Sequence, residues 1–124
     1  MIRRLVGVYH ANGTLWGELA YVIRSRLGGA HCSLCDITHG RVREKDEWKQ
    51  RRTELSVPFD TVHLNERSAE LVALTEGNTP CVVAITDDGA EILLGPDELE
   101  ACKGSPQRLV DAVRAAIEAR GLSL

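Results

Sequence analysis

Two cysteines, Cys32 and Cys35, stand three positions apart in the stretch HCSLCDITHG, which also holds His31 and His39. Two thiols at this spacing can close a disulfide when the first turn of a helix brings them together, and a helix N-terminus lowers the pKa of the leading thiol by stabilising its thiolate. For redox chemistry, Cys32 is then the attacking thiolate and Cys35 the resolving thiol, with His31 or His39 assisting proton transfer. Asp36 opposes thiolate formation at Cys35, because a neighbouring carboxylate disfavours a second negative charge.

The same stretch also fits a metal site. Cys32, Cys35 and His39 follow the spacing C-x2-C-x3-H, and tetrahedral Zn²⁺ needs one further ligand. The candidates for that ligand are His31, Asp36, His10, His63 and Cys81. We expect His10 and His63 near the ends of two parallel strands and Cys81 at the start of the next strand, so these three side chains could meet at one sheet edge.

A structural role is the third alternative for this stretch. Cys32 and Cys35 would then be buried thiols, Thr38 and His39 would hold a tight loop by hydrogen bonds, and Gly40 would supply a positive φ. In a reducing compartment, however, a Cys-x-x-Cys pair near a βαβ pattern is more often catalytic or metal-binding. The redox interpretation therefore leads. It needs no cofactor, whereas the metal alternative needs zinc, and its partners would be protein or small-molecule thiols and disulfides.

The composition argues against several other classes of function. The net charge is −3, with 15 Lys and Arg against 18 Asp and Glu, and the basic residues of the stretch 41–52 alternate with acidic ones, so we expect no nucleic-acid binding. No run approaches the roughly 18 apolar residues of a membrane span, so we expect no membrane insertion. The apolar stretch after Arg4 is too short for a secretory signal, which predicts a cytoplasmic protein.

The hydrophobic pattern predicts one α/β domain over residues 1–124. The predicted elements are, in order, a strand over 3–10, a helix over 14–27, an exposed helix over 41–55 anchored by Trp48, a strand over 59–64, a short helix over 68–77, a strand over 79–85, an Asp-Gly hairpin leading to a strand over 91–94, and a final helix over 105–121. The two early strands should be parallel and the hairpin antiparallel. The expected result is a four-stranded mixed sheet with helices on both faces.

This order, with Thr79-Pro80 leading an apolar strand into an Asp-Gly hairpin and a final helix, resembles the thioredoxin-like fold. The resemblance implies a cis proline at Pro80 facing a redox site, and an Xaa-Pro bond is the one peptide bond for which cis costs little. It implies thiol–disulfide exchange by Cys32 and Cys35, while a non-catalytic adaptor could use the same fold. The chain also resembles a family of small, uncharacterised bacterial proteins with the signature C-x-L-C-x-x-T-H-G, which brings no established activity.

The chain departs from the thioredoxin pattern in the position of Cys32. In thioredoxins the first cysteine follows its strand almost at once and opens the next helix, whereas here a predicted helix over 14–27 intervenes. Such a helix rises about 20 Å. Cys32 therefore lies either at the far end of the sheet from Pro80 or, if residues 29–40 fold back, beside Pro80, and the sequence leaves both placements open. No aromatic residue precedes Cys32 directly, and no proline lies inside the pair.

Overall fold

Four strands form one mixed sheet in the computed structural model, which describes residues 1–10, 33–38 and 45–124. In chain order they are β1 (Ile2–Val8), β2 (Phe59–Val62), β3 (Cys81–Thr86) and β4 (Gly89–Leu94). They lie side by side in the order β2-β1-β3-β4. β1 pairs in parallel with β2 and antiparallel with β3, and β3 pairs antiparallel with β4. The predicted four-stranded mixed sheet, with its parallel early pair and its antiparallel hairpin, is confirmed.

The turn between β3 and β4 is held by local polar contacts. The Thr86 hydroxyl accepts the Asp88 backbone N–H and donates to the Gly89 carbonyl, both at 3.2 Å. Gly89 has a φ of +137°, a conformation that a side chain would disfavour. Arg3 of the neighbouring strand β1 donates two hydrogen bonds to the Asp87 carboxylate, at 2.7 and 3.0 Å. The Asp-Gly signal in the sequence therefore marks a real hairpin.

Five α-helices lie within the described ranges, and these are α1 (Ser33–Thr38), α2 (Asp46–Arg52), α3 (Ala69–Thr75), α4 (Pro96–Glu100) and α5 (Pro106–Ala119). The predicted final helix is confirmed as α5. Its ends are those that the sequence indicates, since the Ser105 hydroxyl accepts the Arg108 backbone N–H at the start and Gly121, with a φ of +68°, follows the end. The helix predicted over 14–27 lies outside the described residues. Within the described ranges, no helix is long and apolar enough to cross a bilayer.

Two predicted elements are shorter than expected. The helix predicted over 41–55 begins only at Asp46, because Lys45 has an extended backbone with a ψ of 139°, and it ends at Arg52. Its anchor is confirmed, since the Trp48 side chain is fully buried. The strand predicted over 59–64 stops at Val62, and a 3₁₀ helix (Leu64–Glu66) follows it.

The apolar side chains divide between two clusters, one on each side of the sheet. On what we call the first face, Leu5, Tyr9, Val82 and Ala84 of the β1 and β3 segments meet residues of α1, α2, α4 and α5, including Leu34, Trp48, Leu99 and Leu109. On the second face, the strand residues Val6, Val8, Cys81 and Val83 meet Leu71 of α3. Helices therefore cover both faces, as the sequence predicts.

Candidate functional site at the carboxyl ends of the parallel strands

The helix α1, which carries Cys35, lies close against β1. Leu34, Cys35 and Ile37 are each at most 1% exposed, so the helix buries its apolar residues on the first face. Gly7 of β1 permits this close approach, because a Cβ at that position would meet Leu34 Cδ2 at only 3.1 Å. Cys35 therefore faces the interior of the protein.

The three cysteines among the described residues are in different covalent states. Cys35 is disulfide-bonded, whereas Cys81 and Cys102 are free and buried. The disulfide partner of Cys35 is therefore neither of these two residues. The predicted site residues Cys32 and His39 lie outside the described residues.

The C-terminal end of α1 is joined to the end of β1. The Tyr9 hydroxyl and the Thr38 hydroxyl form a buried hydrogen bond of 2.9 Å. In the antiparallel pairing of β1 with β3, Val8 stands opposite Cys81. Continuing this register by one residue sets Tyr9 opposite Pro80. The described residues thus bring α1 and Pro80 to the same end of the sheet, whereas Cys32, whose placement the sequence left open, lies outside the described residues.

The segment at Pro80 continues the contact between these two strands. The Thr79-Pro80 peptide bond is cis, as the resemblance to the thioredoxin-like fold implies, and Pro80 is buried. The His10 Nδ1 atom and the Thr79 hydroxyl lie 2.8 Å apart in a hydrogen bond, which follows the same register one residue further out. Pro80 thus lies directly before β3 and beside the residues that follow β1.

A histidine and a carboxylate follow the end of β2 at the same edge. The Glu66 Oε1 atom lies 2.6 Å from His63 Nδ1 and accepts the His63 backbone N–H at 2.7 Å. These hydrogen bonds hold the pKa of Glu66 below its ordinary value, the backbone bond contributing most. The His63 ring lies against the Tyr9 ring, with 5.2 Å between the ring centroids. Tyr9 therefore contacts both α1 and His63.

Sequence reasoning did not single out Glu66. His63 and Glu66 are spaced as the cap residue and third residue of a short helix, and an acidic residue at that third position commonly reaches back to the cap backbone. That spacing is the signal that could have identified the pair. The contact of Tyr9 with His63 depends on the pairing of β1 with β2 and has no local signal.

Two of the candidates for a further metal ligand, His63 and Cys81, do not lie on the same face of the sheet. His63 contacts Tyr9, whose side chain belongs to the first face, whereas Cys81 belongs to the second face. The His10 side chain is hydrogen-bonded to the Thr79 hydroxyl. Among the described residues, no three His, Cys, Asp or Glu side chains form a group that could hold a metal ion.

The two free cysteines behave as small apolar side chains. Burial raises the pKa of Cys81 to about 11, and it also raises the pKa of Cys102 above its ordinary value. The Cys102 thiol donates a hydrogen bond to the Glu98 carbonyl at 3.4 Å, one turn earlier in the chain. Since the thiolate is the reactive form, neither residue is suited to exchange chemistry at neutral pH.

Comparison with known proteins finds no match to any family model, any curated protein or any solved structure. The function therefore has to be inferred from the chemistry of the site. That site combines a disulfide-bonded sulfur at Cys35 with a buried hydroxyl pair and a histidine–carboxylate pair. These groups are suited to thiol–disulfide exchange and to the proton transfers that accompany it.

Proposed function

We propose that this protein carries out thiol–disulfide exchange and that Cys32 and Cys35 are the exchanging pair. The observation that carries this proposal is that Cys35 is disulfide-bonded while Cys81 and Cys102 are free. The chain has four cysteines, and we propose that Cys32, three positions before Cys35, is the exchange partner of Cys35. The two residues stand three positions apart in the sequence, and Cys35 belongs to α1.

We also propose that the domain is thioredoxin-like. The order β2-β1-β3-β4, with one parallel pair, a terminal hairpin and a closing helix, supports this assignment. Pro80 lies at the end of the sheet to which α1 is joined through the Thr38–Tyr9 hydrogen bond. In this proposal, Pro80 shapes the surface beside the cysteine pair.

The exchange proceeds in two steps that balance in atoms and electrons. The Cys32 thiolate attacks a substrate disulfide, forms a mixed disulfide and expels one substrate thiolate, which takes up a proton. The Cys35 thiol then loses its proton and attacks the Cys32 sulfur, which closes the Cys32–Cys35 disulfide and expels the second substrate thiolate. Two electrons pass from the protein to the substrate. A protein or small-molecule dithiol restores the reduced pair by the reverse exchange.

Burial supports this division of roles. Because Cys35 is only 1% exposed, a substrate cannot reach it easily, so Cys35 suits the role of the resolving thiol. His39 stays a candidate for assisting proton transfer, and the cytoplasm, with its thiol pool, is the proposed compartment. Among the described residues, no contact favours the zinc or adaptor interpretation.

The proposal is tested by the reduction of insulin disulfides with dithiothreitol as the electron donor. We expect the wild-type protein to accelerate this reduction and Cys32→Ser to lose at least about 100-fold of the acceleration, because the attacking thiolate is gone. Cys35→Ser should retain the first step and accumulate a mixed disulfide, visible as an adduct in intact-mass spectra.

Cys102→Ala is the matched control, since Cys102 is a free cysteine in the same apolar cluster as Cys35. Its activity should equal that of the wild-type protein. A wild-type protein that does not exceed the rate of dithiothreitol alone contradicts the proposal, as does a Cys32→Ser variant with full activity.

A further inference from the structure

The pair formed by His63 and Glu66 has a geometry suited to moving a proton. Glu66 Oε1 lies 2.6 Å from His63 Nδ1, and the lowered pKa of Glu66 means that this carboxyl is ionised at neutral pH. An ionised carboxylate only accepts hydrogen bonds, so Nδ1 must carry a proton. In the neutral imidazole, Nε2 is then the basic nitrogen. The second hydrogen bond, from the His63 backbone N–H to the same oxygen, fixes the carboxylate in place.

The ring of His63 also faces the side of the sheet that carries α1. It contacts the Tyr9 ring at 5.2 Å between centroids, and the hydroxyl of that same Tyr9 is hydrogen-bonded to Thr38 at 2.9 Å. Thr38 is three residues after Cys35 in α1, so the two side chains lie on neighbouring parts of one helix face. Tyr9 is thus the shared neighbour of His63 and the cysteine-bearing helix.

We propose that His63, oriented by Glu66, is the base that accepts the Cys35 thiol proton when the disulfide closes, an inference that rests on the proposed function. Nε2 takes the proton as the Cys35 sulfur attacks the mixed disulfide at Cys32. The leaving substrate thiolate takes up a proton from water, and the imidazolium later releases its proton to water. His63 returns to its neutral state, and no proton is gained or lost.

The charges around His63 suit this role. Glu66 offsets the positive charge of the imidazolium when it forms. The nearby guanidinium of Arg67 donates hydrogen bonds to the Leu64 carbonyl, the Thr75 hydroxyl and the Glu76 carboxylate. From β1, the titratable group that contacts His63 is the Tyr9 phenol. In α1, Cys35 lies three positions before Thr38 and is the proton donor in this proposal.

The test follows disulfide closure in single turnover. Reduced protein is mixed with oxidised glutathione, quenched with acid at intervals and measured by intact mass, which separates the reduced, glutathione-bound and closed forms. His63→Gln should form the glutathione adduct at the wild-type rate but close it about 100-fold more slowly at neutral pH, so the adduct accumulates. The difference should shrink at alkaline pH, where the Cys35 thiol ionises without a base.

His10→Gln is the matched control, because His10 is a second histidine that follows β1 and is hydrogen-bonded to the Thr79 hydroxyl, a bond that glutamine can also form. It should close at the wild-type rate. Glu66→Gln keeps the size of the side chain and removes its charge, so it should slow closure less than His63→Gln does. If thermal unfolding shows that His63→Gln does not fold, the closure rate of Glu66→Gln tests the role of the pair instead. A closure rate equal to that of the wild-type protein would then contradict the inference.

The outcomes separate this inference from the proposed function. If the wild-type protein never forms the adduct or never closes it, thiol exchange itself is wrong. If the wild-type protein closes and the folded His63→Gln variant closes equally fast with the same pH profile, the exchange stands and the role of His63 is wrong. Equal slowing in His10→Gln would also overturn the inference.

Discussion

Cys35 and Cys81 are both buried cysteines, yet one is disulfide-bonded and the other is a free thiol whose pKa is raised to about 11. The sequence distinguishes them only by spacing, since Cys35 has a cysteine three positions before it and Cys81 stands alone in an apolar run. That spacing was enough to nominate the pair. It could not locate His63 and Glu66, whose part in the site depends on a contact with Tyr9 from a distant strand.

The raised pKa of Cys81 predicts slow alkylation in the native state. Burial raises the pKa from 9.0 to about 11, so the thiolate fraction at pH 8 falls by about 100-fold. We expect iodoacetamide to modify native Cys81 at least that much more slowly than Cys81 in guanidinium-unfolded protein, as measured by peptide mass spectrometry. The same shift makes folding stability depend on pH. Because the unfolded thiol ionises near pH 9 and the folded one only near pH 11, the folded state loses stability relative to the unfolded state as the pH rises above about 9. Equal labelling rates in the two states would contradict this expectation.

At the scale of elements, the patterns with strong local chemistry were predicted well. The hairpin at Gly89 and the cap of α5 at Ser105 are both present, because turn and cap residues act on their immediate neighbours. The ends of the strand at Val62 and of the helix at Arg52 were misplaced. In both cases the apolar pattern of the sequence extends beyond the observed end of the element. After β2, for example, the His63 backbone N–H bonds to the Glu66 carboxylate and not to a neighbouring strand.

The contact of α1 with β1 predicts that Gly7 cannot be replaced without cost. A Cβ at Gly7 would lie 3.1 Å from both Leu34 Cδ2 and Phe59 Cε1, so both side chains would have to move. We expect Gly7→Ala to lower the free energy of unfolding by about 1–3 kcal/mol in urea titrations.

Gly95→Ser is the control for that prediction, because a Cβ at Gly95 meets nothing closer than 3.5 Å and serine is a favourable cap residue at the start of α4. It should be neutral or slightly stabilising. A Gly7→Ala variant as stable as the wild-type protein would show that α1 does not pack closely on β1.

At the scale of the whole molecule, the candidate site draws on four separate parts of the chain. Tyr9 follows β1, Cys35 and Thr38 belong to α1, His63 follows β2, and Pro80 precedes β3. The strands beside Tyr9, His63 and Pro80 could be recognised from the sequence, whereas the helix α1 was not among the predicted elements. Their meeting at one sheet edge could not, because it depends on the strand order and on the register of β1 with β3.

The most direct test of the central claim is a redox titration of the whole protein. The protein is equilibrated with glutathione buffers of increasing oxidised fraction, quenched, alkylated and measured by intact mass. We predict one two-electron transition in which two thiols are lost together, with Cys81 and Cys102 reduced throughout and no intramolecular disulfide in Cys35→Ser. A wild-type protein whose four thiols all stay reduced at every glutathione ratio would contradict the account.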